Sequence, residues 1–147
     1  MTMLDFERSD QGFTDHSRLV ARLDAIRRHV READAAGVLA PGARAELRPR
    51  FVELWGRCQA LGQFNLGRAL ALDRGEQISH WGSYLKLLWS ELLQDVTAFG
   101  LDVVGAGCAG HRDWAHDYLA ARAATIYSGT SEIQRNVIGE RILGLPR

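Results

Sequence analysis

A chain of 147 residues is long enough to bury one sizeable core and too short for two. Lysine plus arginine and aspartate plus glutamate both number 18, so the formal net charge is zero and no long-range field favours nucleic acid or an anionic membrane as partner. Cys58 and Cys108 are the only cysteines, too few and too far apart for a CxxC metal site or a disulfide framework, and each reads as a small buried apolar residue. Lys86 is the only lysine. The segment Met1–Asp10 has two early acids and no apolar run, unlike a signal peptide, and no stretch approaches the length of a membrane span. The expected compartment is a reducing cytoplasm.

The hydrophobic period is helical almost throughout. From about Thr14 to Ala36, Leu19, Leu23, Ile26 and Val30 recur at four, three and four, which predicts one face of a helix. Asp15 or Thr14 can cap its start, Gly37 marks its end and Pro41-Gly42 a short loop. A second helix is expected from about Ala43 to Arg74, with Leu47, Phe51, Leu54, Trp55, Cys58, Leu61, Leu66 and Leu70 on its stripe. Pro49 falls near its beginning, where a missing N–H costs least. Gly62 and Gly67 lie in its interior, as glycines do where a neighbouring helix comes close.

The third segment, roughly Glu76 to Val104, is the most apolar, with Leu85, Leu88, Trp89, Leu92, Val96 and Phe99 in one stripe. It belongs at the centre of a bundle. A glycine-rich stretch, Gly105–Gly110, separates it from a shorter helix near Asp113–Ala124. After a break at Tyr127-Ser128-Gly129, a last helix starts at Thr130 or Ser131, with Ile133, Val137 and Ile138 inward. Ser131 and Gln134 fit an S-x-x-Q capping box. No segment alternates with the period of a strand. The fold class expected is all-α: an up-and-down four-helix bundle with a short extra helix, as one domain over 1–147. Trp55, Trp81, Trp89 and Trp114 can serve core or interface, core being favoured for each, and His80, His111 and His116, which lack metal-ligand spacing, read as surface or capping residues.

The segment Tyr127-Ser-Gly-Thr-Ser-Glu-Ile-Gln-Arg135 and its continuation to Arg147 resemble the C-terminal signature of acyl-CoA dehydrogenases, in which a Tyr-Glu-Gly-Thr-Ser-Glu-Ile-Gln-Arg string opens the last helix. A looser resemblance covers Leu4-Asp5-Phe6-Glu7-Arg8 and Lys86-Leu-Leu-Trp-Ser-Glu91. The resemblance implies FAD as cofactor and an acyl-CoA thioester as substrate. The reaction implied is α,β-dehydrogenation, with electrons passed to an electron-transfer flavoprotein or a similar acceptor. It also implies homo- or hetero-oligomers assembled through this bundle. Thr130 and Glu132 would contact FAD, with the first-turn N–H groups of the last helix facing electron-rich groups. The alternative for Thr130, Ser131 and Gln134 is capping alone, and the two roles are compatible.

The reaction needs a carboxylate that removes an α-proton while the flavin takes a β-hydride. Many family members place that base just before Gly-Thr, where this chain has Ser128. Another branch places it in a Leu-Asp-x-Glu-Arg string, which makes Glu7 the candidate base here and Asp5 the weaker alternative. The competing role for Glu7 is a surface ion pair with Arg8 or Arg18. Of the family's Gln-x-x-Gly-Gly-x-Gly segment, which holds FAD across a subunit interface, Gly105 matches and the glutamine does not; no Arg-x-x-Phe-Gly string occurs in Gly37–Phe51. By the resemblance, an N-terminal helical domain and a middle β domain would precede this bundle. The chain is then expected to be an excised domain, a truncated reading frame, half of a split enzyme or a non-catalytic assembly subunit. Short, branched, long and steroid-derived acyl chains all stay open.

Overall fold

The computed structural model describes residues 3–76, 78, 81–105 and 112–146, the side chains of 3–14 and of residue 112 excepted. Five helices follow in order: α1 (Met3–Ala35), α2 (Ala43–Asp73), α3 (Trp81–Val104), α4 (Arg112–Ala124) and α5 (Ser131–Arg141). No strand occurs among the described residues, and none of their helices is long and apolar enough to cross a membrane. The all-α expectation holds.

The up-and-down order follows from which residues meet. His16 of α1 lies against Gly62 of α2, whereas Ile26 shares a groove with Leu47 and Phe51, so α1 and α2 run antiparallel. Phe64 stacks near Trp81 and Tyr84, and Arg57 pairs with Asp95 at 2.6 Å, so α2 and α3 are antiparallel too. Gly100 touches Trp114 while Gln94 reaches Ala121 and Arg122, which reverses α4 against α3. The most apolar helix, α3, packs on each of the other four.

The core joins Leu19, Leu23 and Ile26 of α1 to Leu54, Cys58 and Leu61 of α2 and to Leu85, Leu92, Val96 and Phe99 of α3. Each such aliphatic side chain contributes about 1.5–3 kcal/mol when fully buried. The four tryptophans are half-buried around this centre, with Trp55, Trp89 and Trp114 packed directly on it.

Helix ends follow local chemistry. Gly37 and Gly75 take φ of 67° and 73°, the left-handed conformation that closes a helix. After them, Val38 donates to the Ala33 carbonyl and Glu76 to that of Ala71, each at 2.9–3.0 Å. Glu76 therefore completes the close of α2 rather than opening α3, which begins at Trp81. The first helix starts at Met3, well before Thr14; Gly12 inside it is tolerated because a single glycine costs only about 1 kcal/mol. Pro49 sits in the second turn of α2, past the positions that lack an N–H partner anyway; the exposed Ala45 carbonyl left without its donor can face water.

Four residues placed on the sequence's apolar stripes face outward instead: Leu66, Leu70, Leu88 and Ile133 are each about half exposed. In α5 the inward residues are Ser131, Gln134 and Ile138, because α3 offers that helix a partly polar surface. Of the two interior glycines of α2, Gly62 does meet a neighbour, while an added Cβ at Gly67 would touch nothing within 4 Å.

Candidate functional site

Two polar sequence strings far apart in the chain converge at one end of the bundle. The turn between α4 and α5 holds Tyr127, Ser128, Gly129 and Thr130, and the Lys86–Glu91 stretch of α3 lies against it. The Lys86 Nζ stands 5.9 Å from the centroid of the Tyr127 ring, and the Trp89 ring packs on the same tyrosine at 6.4 Å. Arg135 of α5 pairs with Glu91. Lys86 is only 5% exposed, so the chain's one lysine is a buried cation beneath the turn.

The turn itself is tightly determined. Ser128 has φ 55°, the one non-glycine residue in the left-handed region among the described residues, and Gly129 follows at φ 95°. A left-handed L-residue costs roughly 1–2 kcal/mol, so surrounding contacts must hold it. They are present. The buried Gln134 side chain donates through Nε2 to the Ser128 and Gly129 carbonyls at 3.1 and 3.3 Å. From the other side, Gln94 donates to the Thr125 hydroxyl at 2.8 Å, and the Ser131 N–H bonds the Thr125 carbonyl at 3.0 Å.

The helix cap lies one residue earlier than the S-x-x-Q pattern indicates. Thr130 is the N-cap: its Oγ1 accepts from the Ile133 N–H at 3.4 Å. Gln134 clamps the preceding carbonyls instead of reaching a cap N–H, and the buried Ser131 hydroxyl has no hydrogen-bond partner among the described residues. Glu132 is exposed, and its carboxyl is held below the ordinary range. Its own backbone N–H is the largest cause, then the Thr130 hydroxyl; slight desolvation opposes them, and Arg135 and Lys86 add to the lowering. The first-turn N–H groups of Ser131, Glu132, Ile133 and Gln134 are thus all engaged within the chain. What faces outward is a carboxylate and an aromatic ring, not a row of open donors.

Asp15 of α1 closes the group from the other side. Burial pushes its carboxyl above the ordinary carboxylate range, against the opposing pull of Arg18 and Arg22. The Tyr127 phenol is likewise raised, first by burial and then by the negative charge of Asp15. The site as built therefore contains Asp15, Lys86, Trp89, Tyr127, Thr130 and Glu132. Thr130 and Glu132 were legible as candidates from the sequence. Lys86 was visible as the lone lysine and as the start of the Lys86–Glu91 string, and Asp15 only as a candidate cap of the first helix, whereas the structure places it inside α1, which begins at Met3.

Glu7 and Asp5 fall on the first turns of α1, and their side chains lie outside the described residues. Gly105 ends α3 with φ 60° and no neighbour that an added Cβ would meet. It stands 19 residues along α3 from Lys86, roughly 28 Å at 1.5 Å per residue. Within one chain, Gly105 and the Thr130 turn are not parts of one pocket. Cys108, His80 and His111 lie outside the described residues, and His116 is exposed. No group of three potential metal-ligating side chains occurs among the described residues.

Comparison with known proteins agrees with this arrangement. A protein-family model described as acyl-CoA dehydrogenase, C-terminal domain, matches residues 1–143. The chain is 39% identical over 106 residues to acyl-CoA dehydrogenase IpdE1 of Mycolicibacterium smegmatis, covering 69% of this chain and 26% of that protein. It is 36% identical over 108 residues to acyl-CoA dehydrogenase IpdE1 of Mycobacterium tuberculosis, covering 69% and 27%. It therefore spans about a quarter of the length of these curated relatives. Among solved structures, a chain of an electron transferring flavoprotein of Acidaminococcus fermentans superposes with a TM-score of 0.80 at 18% identity, covering 95% of this chain and 37% of that one. A chain of the Tcur3481-Tcur3483 steroid ACAD, G363A variant, superposes with a TM-score of 0.73 at 19% identity, covering 98% and 38%. At these identities the two structures speak for the fold alone. With its helical architecture and a match along nearly its whole length, the chain belongs to the acyl-CoA dehydrogenase family, as that family's C-terminal domain.

Proposed function

We propose that this chain supplies the flavin-facing helical domain of an FAD-dependent acyl-CoA dehydrogenase. One observation carries the reading: the Lys86–Glu91 and Tyr127–Arg135 strings, which carry the family resemblance, meet around a single constrained turn. FAD would supply the hydride acceptor. Toward that group the chain offers a Glu132 carboxylate able to accept from ring N–H groups and an aromatic surface at Tyr127. Thr130 orients Glu132 by donating its hydroxyl proton. The buried Lys86 adds positive charge beside the turn, which favours charge developing on an electron-rich partner. Glu7 is the proposed base, removing the α-proton of an acyl-CoA thioester. Electrons would leave to an electron-transfer flavoprotein or similar acceptor.

The outward-facing Leu66, Leu70, Leu88 and Ile133 support assembly with a second copy or a related subunit. A stable interface buries about 800 Å² per partner, and apolar side chains of this kind form its centre. A second reading, a non-catalytic assembly subunit, is favoured by Ser128 at the position where many relatives place their base.

The first test is the visible spectrum of the purified chain after gel filtration with FAD. Retained flavin in an oligomeric peak, lost on Glu132→Ala, supports a working half-site. A colourless, helical peak favours the assembly reading. In the enzyme assembled with its remaining domains, Glu7→Gln separates the two readings, because turnover that survives it removes Glu7 as base. Steroid-derived and straight-chain acyl-CoA thioesters should both be assayed, since one structural relative is described as a steroid ACAD.

A further inference from the structure

The far end of the bundle holds a second feature that the flavin-facing turn does not use. Between the last turns of α1 and the first turns of α2 lies a groove of about 920 Å³. That volume is of the size that takes small organic molecules. Its floor is aliphatic and aromatic, with Ile26, Val30, Leu47 and Phe51 among its members. Its rim carries four arginines, Arg27, Arg31, Arg44 and Arg48, and no acidic side chain lines it among the described residues. The groove is remote from the site at the α4–α5 turn, because Ile26 stands 11 residues beyond Asp15, roughly 16 Å along the helix.

Charge decides what fits. Arg27 is paired with Asp24 at 2.9 Å and Arg44 with Asp34 at 2.9 Å, both acids outside the groove. Arg31 and Arg48 have no ion pair among the described residues. Four positive charges less two paired ones leave an excess of two beside an open apolar floor. An apolar groove of this kind exposed to water is costly unless something covers it, and guanidinium forks match phosphate oxygens in shape as well as charge.

We propose that this groove binds a soluble phosphate monoester with an apolar body, the phosphate held between Arg31 and Arg48 and the body lying on Val30, Leu47 and Phe51. A phosphate monoester carries close to two negative charges at neutral pH, which equals the excess on the rim. A groove of this volume with an excess of two positive charges suits one small molecule, and Val52 is the exposed large apolar residue among those that line it. The proposal is independent of the flavin reading.

Titration of the intact chain with decyl phosphate, below its micelle concentration, is the test, with calorimetry for stoichiometry and amide NMR shifts for location. One molecule per chain is expected, with shifts confined to the α1–α2 end. Arg31→Ala and Arg48→Ala should each weaken binding by about tenfold. Val52→Glu, a charge placed on an exposed groove position, should do the same without touching the core. Decanol and inorganic phosphate should each bind at least tenfold more weakly than decyl phosphate. Equal affinity for decanol would reduce the groove to a greasy patch. Insensitivity to the three variants would place the ligand elsewhere. Binding only to phosphatidic acid vesicles, or a dimer that hides the groove and excludes the ligand, would also overturn the proposal.

Discussion

Gln94 of α3 donates its side-chain N–H to the Thr125 hydroxyl at 2.8 Å, across 31 residues of chain. The same amide nitrogen lies 3.3 and 3.4 Å from the Ala121 and Arg122 carbonyls, so one side chain ties the end of α4 to the middle of α3. Thr125 in turn accepts the Ser131 N–H through its carbonyl. Gln94→Ala removes this donor from the Thr125 hydroxyl and the Ala121 carbonyl, while the Arg122 carbonyl still accepts from the Thr125 hydroxyl at 3.4 Å, and should cost about 1 kcal/mol. Gln63→Ala, at an exposed position of α2, should stay within about 0.5 kcal/mol. Urea denaturation measures both, and hydrogen exchange should quicken first at Tyr127–Ser131.

The bundle was legible because its helices carry their own apolar faces: Leu19, Leu23 and Ile26, or Leu92, Val96 and Phe99, recur at helical spacing whatever they pack against. The site was legible only in part. Thr130 and Ser131 both resemble caps, and the choice between them depends on whether Gln134 reaches forward to an N–H or back to carbonyls. That depends on the turn's left-handed Ser128, which no local pattern signals. The inward face of α5 is polar at Ser131 and Gln134, so a rule that buries Ile133 fails there. The burial of Lys86 is likewise a property of the partner helices and not of its own stripe.

Two glycines of equal local character should respond in opposite ways to alanine. Gly67 has no neighbour within 4 Å of an added Cβ, so Gly67→Ala should stabilise by about 0.5–1 kcal/mol through helix propensity and chain entropy. At Gly100 the added Cβ would lie 2.9 Å from Cε3 of Trp114, whose ring also packs near His29 at 5.7 Å. Moving that ring should cost about 1–3 kcal/mol and outweigh the propensity gain. The urea midpoints of the two variants should therefore fall on opposite sides of the parent, with unchanged slopes.

Asp15 should make the protein less stable as pH rises. Its folded-state carboxyl is raised above the ordinary value of 3.8, so between that value and its raised value the folded chain holds more protons than the unfolded one. Stability from this group is then greatest in acid and falls as pH climbs through the raised value. Asp15→Asn removes the titration. The variant should melt above the parent at neutral pH, and the gap should narrow on acidification. The same substitution should lower the Tyr127 phenol toward its ordinary value, because the Asp15 charge contributes to raising it. A spectrophotometric tyrosine titration reads the second effect. Equal melting temperatures at neutral pH would mean that the arginine attraction offsets the burial.

Cys58 should be chemically silent in the folded protein. Its side chain is fully buried in the core between α1, α2 and α3, and burial pushes its thiol from 9.0 to about 11, against the weaker pull of Arg57. The thiolate is the reacting species, so a rise of that size removes roughly a hundredfold of it near neutral pH before access is considered. Alkylation with iodoacetamide followed by peptide mapping should leave Cys58 unmodified in buffer and label it fully in denaturant. Under intermediate urea the labelling should follow the global unfolding curve, because the residue opens only when the three-helix core does. Labelling that ran ahead of unfolding would instead place Cys58 in a region of α2 that opens locally.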